Sequence, residues 1–210
     1  MNKWLTFVVA LCVFGTMGTA LAQTPKGGAA SPSDAVRSAV ESVVKATRAD
    51  VAARSGDVNA TTKIVEREFL PYTDFARTTR IAVGAAAWKQ ATPAQRKQLV
   101  EQFQLLLVHT YALQLTQIRD QHVRFRFEPA TLSAKGTDAV VKTRVQGSGD
   151  DMDVGYRLGK GQDGWRIYDI DMMGAWLIQI YQQQFASQIA QGGIDGLIRY
   201  LSAHNARFGQ

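Results

Sequence analysis

The chain has 210 residues, 46% hydrophobic and 20% charged, with a formal net charge of +6, enough length for one well-buried domain. Its single cysteine, Cys12, lies in an N-terminal apolar run, which excludes a disulfide framework, a thiol nucleophile and a lipid-modified cysteine in the chain that follows.

Residues 1–22 read as a signal peptide. Met1-Asn2-Lys3 is a short positive start, Leu5 to Phe14 is apolar, and Ala20-Leu21-Ala22 is an A-x-A cleavage site, so export to the periplasm and cleavage after Ala22 are expected. The apolar run is shorter than the roughly 20 residues that spanning requires, and no later stretch approaches that length, so the mature protein is expected to be soluble. Loss of Lys3 takes the net charge to +5. An exported basic protein has little opportunity to meet nucleic acid; its partners are anionic head groups or acidic protein surfaces, or else the charge only solubilises.

Gln23 to Ala30 (QTPKGGAA) is a flexible Gly/Pro-containing tether, and residues 31–210 are read as a single domain. Ser31-Pro32-Ser33-Asp34 supplies an N-cap, a proline at the first helical position and an acid at the third. Val36, Val40, Val43, Thr47 and Val51 then recur at helical spacing. A second helix is predicted over Val58 to Leu70 and a third over Tyr72 to Val83, ended by Gly84. Thr92-Pro93-Ala94-Gln95 is a capping box opening the longest helix, about Pro93 to Arg119, with Leu99, Phe103, Leu106, Leu107 and Tyr111 along one stripe.

Beyond Arg119 the period changes to two. Val123, Phe125 and Phe127 alternate with charged residues, as do Ala139 to Val145 and Met152 to Leu158, and Trp165 to Met172 makes a fourth strand. The connections suit an antiparallel meander with one wet face, on which Arg124, Arg126, Lys142 and Arg144 fall. Two helices close the chain, Ala175 to Ala190 and Asp195 to about Ala206, separated by Gly192-Gly193.

The stretch Gly164 to Phe185 (GWRIYDIDMMGAWLIQIYQQQF) contains no Ser, His, Cys or Lys. At about 100° per residue, Trp176, Leu177, Ile178, Ile180 and Tyr181 spread over an arc of about 200°. Packing on one sheet face needs about half of that. The surplus belongs either to a core covered by another helix or to a ligand.

Pro71-Tyr72-Thr73-Asp74-Phe75, Gly84, Trp88-Lys89-Gln90-Ala91-Thr92-Pro93-Ala94-Gln95-Arg96, Phe103 and Thr110-Tyr111 resemble the helical half of the MlaC family, periplasmic phospholipid-binding proteins of the Mla system, also called toluene-tolerance or ABC-transporter auxiliary proteins. Trp165-Arg166-Ile167-Tyr168-Asp169-Ile170, Gly174, Leu177, Tyr181, Phe185 and Gly193-Ile194-Asp195-Gly196-Leu197-Ile198 resemble its C-terminal signature. The matches span about Ser33 to Asn205. Family members commonly carry Val-Ser after the glycine and Arg after the tyrosine, where this chain has Ala175-Trp176 and Gln182.

The resemblance implies an α+β fold: helices wrapped on one face of a curved four-stranded antiparallel sheet, enclosing an apolar cavity, a nuclear-transport-factor-like cone. It implies a lipid-binding domain over residues 31–210 that shuttles phospholipid between outer- and inner-membrane complexes and so maintains outer-membrane lipid asymmetry. Placed on this sequence, the pocket is expected to be lined by Val83, Trp88, Phe103, Leu107, Tyr111, Val141, Val145, Tyr156, Ile167, Met173, Trp176, Leu177, Ile180 and Tyr181. Arg124, Arg126, Lys142 and Arg144 are the candidates for docking a partner or a membrane. The implied partners are an inner-membrane MCE-domain ABC transporter complex and an outer-membrane lipoprotein–porin complex, with phospholipid as cargo, no cofactor or metal, no nucleic acid, and a monomeric carrier.

Catalytic readings find fewer residues. His109, His122 and His204 are too widely spaced for H-E-x-x-H, there is no G-x-S-x-G elbow, and no G-x-x-x-x-G-K-[ST] offers a nucleotide site. The enzymatic alternative is a small-molecule isomerase or hydrolase on a similar cone, with Tyr168-Asp169 as a proton-transfer pair. His109 reads as a partly buried helix residue. A structural periplasmic interaction module is the third reading.

Overall fold

The structure is a computed structural model, and it describes residues 31–115, 123–147, 151–172 and 174–208. Helix α1 (Pro32–Ala49) begins as its sequence dictates, with Ser31 Oγ accepting the Asp34 N–H at 3.1 Å and Pro32 in the first turn. A single turn, α2 (Val51–Arg54), follows, capped by Asp50. Helix α3 (Val58–Glu68) stops two residues before its predicted end, and Leu70–Tyr72 forms a 3-10 turn. Pro71 accounts for this, since it lacks an N–H and disfavours the α conformation in the residue before it.

Helix α4 (Phe75–Val83) is capped by Asp74, whose Oδ1 accepts the Arg77 N–H at 2.9 Å, and ends at Gly84, whose φ of 85° is the left-handed conformation expected of a terminating glycine. The short α5 (Ala85–Gln90) has no counterpart in the sequence-based expectation. In α6 (Pro93–Leu115) the capping box closes reciprocally: Gln95 N–H donates to Thr92 Oγ1 at 3.2 Å and Thr92 N–H to Gln95 Oε1 at 2.9 Å. Its predicted end at Arg119 lies outside the described residues.

Strands β1 (Arg124–Phe127), β2 (Thr131–Leu132), β3 (Asp138–Gln146), β4 (Met152–Gly161), β5 (Gly164–Met172) and β6 (Ala175–Trp176) build one curved, unclosed antiparallel sheet in the order β1-β3-β4-β5-β6, with β2 also on β3. Four of these are the predicted strands; β2 and β6 are two-residue additions. Inward-facing Ala139, Val141, Thr143, Val154, Tyr156, Leu158, Trp165 and Ile167 are buried, as the period of two requires. A bulge between Arg157 and Leu158 resets the register: Arg157 faces Asp169 and Leu158 faces Ile167, so Tyr168 is the extra residue. Past it, Ile170 and Met172 lie opposite inward-facing Tyr156 and Val154, and Asp169 and Asp171 lie on the outer face.

Helix α7 (Leu177–Asn205) runs through the predicted break, yet the break persists as a kink, because Gly193 adopts φ 64°, ψ −163° inside it.

Apolar side chains gather in two main clusters that share no described residue. One joins α1 (Ala35, Val36, Ala39, Val40, Val44) and Tyr72 to the inner face of the sheet. The other joins α4, α6 and α7 through Val83, Leu99, Phe103, Leu107, Tyr181, Phe185, Leu197 and Leu201. Directional bonds along β5 add to this packing in holding the helical layer to the sheet. The Asp74 N–H donates to the Ile167 carbonyl at 2.8 Å, the Thr78 hydroxyl to the Tyr168 carbonyl at 2.7 Å, and Arg166 Nη1 to the Pro71 carbonyl at 2.6 Å.

Candidate functional site

The expected lining residues divide between the two clusters. Val83, Phe103, Leu107 and Tyr181 are buried in the helical one, with half-buried Trp88 and Tyr111 packed against it. Val141, Tyr156 and Ile167 are buried in the sheet cluster, with half-buried Val145 against it. Leu177 is buried at the start of α7, where that helix leaves the sheet. Met173 lies outside the described residues.

Two further expected residues stand apart from both clusters. Trp176 sits opposite Asp171 on β5 and shares its face, so its ring lies on the outer side of the sheet, over Gly155, where a Cβ would meet the indole at 3.3 Å. The bulge in β4–β5 reverses the alternation, and the Gly174 turn, with φ 86°, carries the chain back along the same edge. Ile180 is 39% exposed, so the 200° arc is not enclosed throughout.

Aromatic rings organise the helical cluster. Phe103 meets Tyr181 and Phe185 edge-on, each at 4.9 Å between centroids. Two phenols meet in this apolar setting: burial pushes the Tyr111 hydroxyl above its ordinary pKa, against the effect of its hydrogen bond with Tyr181. Burial also raises Tyr181, as it does Tyr156 beneath the sheet. Hydroxyls raised in this way stay neutral among the surrounding hydrocarbon.

The outer face is not uniformly wet. Arg124, Arg126, Lys142 and Arg144 are exposed there, with Arg126 directly opposite Arg144. Glu128 lies opposite Lys142, and Asp153 clamps Arg144 through two bonds of 2.8 and 3.1 Å. Towards β5 the face is covered. The Arg77 guanidinium occupies the space above Gly159, stacks 3.7 Å from the Tyr168 ring centroid and pairs with Asp138. Burial pushes the Asp138 carboxyl up, but Arg77 and Thr137 outweigh it and hold it below the usual carboxylate range. Arg157 lies 3.8 Å from the Trp176 ring centroid and donates to Asp169 Oδ2 at 3.0 Å.

Asp169 therefore does not stand beside a pocket as a free base. It is 3% exposed, its Oδ1 accepts the Ile170 and Ile178 N–H groups, and its Oδ2 is held by Arg157. Burial raises its pKa, opposed by those bonds. Tyr168 is stacked under Arg77, so neither member of the pair is disposed for proton transfer. His109 is half-buried and tilts against Phe208 at 5.2 Å. Among the described residues no group of three or more His, Cys, Asp or Glu could hold a metal ion, and no helix is long and apolar enough to cross a membrane.

A family model described as the MlaC protein matches residues 37–203. The chain belongs to the MlaC family. A solved structure with the same fold is a phospholipid-binding protein from Ralstonia solanacearum in complex with a phospholipid, 35% identical, covering 85% of this chain and 98% of its own, with a TM-score of 0.78. Family membership and this similarity indicate a binding or transport protein rather than an enzyme.

Proposed function

We propose that this protein is a periplasmic phospholipid carrier that encloses acyl chains between its helical layer and its sheet. The observation that carries the reading is the match to the MlaC family over residues 37–203. The relative's bound phospholipid supports the same assignment.

Physical chemistry explains why the cargo needs a carrier. Two acyl chains carry roughly 30 methylenes, each contributing about 0.8 kcal/mol against exposure to water. The walls must match the bilayer interior without greatly exceeding it, or the lipid would not leave. Energy and direction then come from partners; the family implies an outer-membrane lipoprotein–porin complex and an inner-membrane MCE-domain ABC transporter, with maintenance of outer-membrane lipid asymmetry as the outcome. Leu177, Tyr181, Phe103, Leu107, Val141 and Tyr156 form the core of the proposed lining.

Delipidated protein is expected to take up phospholipid from liposomes in near-stoichiometric amount. Absence of uptake favours the structural module. Arg124, Arg126, Lys142 and Arg144 are proposed to dock an acidic partner, with Arg126 the more available of the central pair because Asp153 engages Arg144. Arg126→Glu is expected to slow transfer to that partner and weaken its salt dependence; unchanged transfer leaves these residues as a solvated face.

A further inference from the structure

Helix α7 begins without a cap of its own. Trp176, the residue before it, supplies no side-chain acceptor, although the N–H groups of a first helical turn need one. The acceptor comes from a strand. Asp169 Oδ1 on β5 takes the Ile178 N–H at 3.1 Å together with the Ile170 N–H at 3.0 Å, and Oδ2 takes Arg157 Nη1 at 3.0 Å. The carboxylate side chain is fully buried, while that of Arg157 is 33% exposed. The Trp176 ring covers the Arg157 guanidinium at 3.8 Å from outside, and Gly155 is the floor that lets the ring lie flat, since a Cβ there would stand 3.1 Å from Asp171 Cβ and 3.3 Å from the indole.

The group thus spans β4, β5, β6 and α7, and it fixes the direction in which α7 leaves the sheet. Leu177 and Tyr181 follow within the next turn, so any rotation or withdrawal of the first turn displaces both.

We propose that Asp169, held by Arg157 under the Trp176 ring, is a positioning residue for the cargo: it sets the depth at which Leu177 and Tyr181 meet the acyl chains. The inference rests on the carrier reading. A carboxylate with only a structural role stabilises loaded and empty protein alike. One that positions the wall acts on the difference between them, and so appears in lipid affinity and in the lipid-induced rise of the melting temperature.

The test uses the mature protein loaded with fluorescent phosphatidylglycerol and acceptor vesicles of phosphatidylethanolamine and phosphatidylglycerol. Asp169→Ala removes all three bonds of the carboxylate, of which the one to the Ile178 N–H reaches α7; loss of that bond is expected to speed departure of the lipid by about three- to tenfold and to shrink the lipid-induced rise in melting temperature. Asp169→Asn keeps an acceptor oxygen for the Ile178 N–H but turns an amide donor towards Arg157, and is expected to restore part of both. Equal melting losses in loaded and empty protein with an unchanged transfer rate overturn the proposal, and so does an Asn variant no better than Ala. Should Asp169→Ala fail to fold, Trp176→Ala uncovers Arg157 while leaving the carboxylate in place; faster transfer supports the proposal and an unchanged rate overturns it. A wild-type protein that takes up no lipid overturns the carrier reading and this inference with it, an outcome distinct from every variant result.

Discussion

Leu177 is where a packed core and a cargo wall differ most sharply in consequence. It is buried at 6% exposure, immediately after the hairpin that launches α7. In a packed core, Leu177→Glu strands a carboxylate at a cost of several kcal/mol in a domain whose whole stability is about 5–15 kcal/mol. Against a cavity emptied of lipid, the same carboxylate stays hydrated. Leu177→Glu is therefore expected to fold with a modestly lowered melting temperature and to retain no lipid; circular dichroism melts beside lipid assays check this, and an unfolded variant returns Leu177 to the core. Asp169 gives a second residue-scale expectation. Its folded pKa is raised by burial above its unfolded value, so the native state holds the proton longer, and stability declines as pH rises from about 4 through the folded value. Asp169→Asn removes that titration. Its melting temperature relative to wild type should rise across that window; a difference that does not change with pH contradicts the account. The alternation of residues in β5 did not reveal this tie, because the bulge at Tyr168 that places Asp169 opposite Arg157 is a tertiary event with no local signature.

Elements announced by local chemistry were legible in the sequence. The Ser31 and Thr92 caps, the Gly84 stop and the strands over Asp138–Gln146 and Met152–Gly161 follow from side chains acting on their own backbone. Elements that depend on distant contacts were not. The single-turn α2, the short α5 and the two-residue β2 and β6 are too brief to show a period, and helical spacing runs back over Ala175 and Trp176 although that pair forms β6. The Gly192-Gly193 pair predicts a full break, whereas only Gly193 departs from helical geometry. A Cβ at Gly193 would meet nothing within 4 Å, so Gly193→Ala is opposed by backbone strain alone. Strain of about 1–3 kcal/mol corresponds to a melting temperature lowered by roughly 2–12 °C. Gly192→Ala, at helical φ and ψ, is the control; equal effects at the two sites would remove the kink from the account.

At the scale of the molecule, the family and the fold class were legible because the motifs from Pro71 to Ile198 keep their order across nearly the whole domain, as the match over residues 37–203 reflects. The division of the interior was not, since a sequence stripe marks a residue as apolar without saying which wall it joins. Phe103 and Val141 look alike as stripe positions, yet one belongs to the helical cluster and the other to the sheet. The central claim, that the protein holds phospholipid between the two layers, rests instead on the family match and on the relative's bound phospholipid. Native mass spectrometry of gently purified protein, followed by analysis of its organic extract, tests it most directly. The account predicts a species heavier than the mature chain by the mass of bound phospholipid, reverting to the bare chain when the lipid is extracted. A bare chain from the outset, with a melting temperature unchanged by added phospholipid, would contradict it.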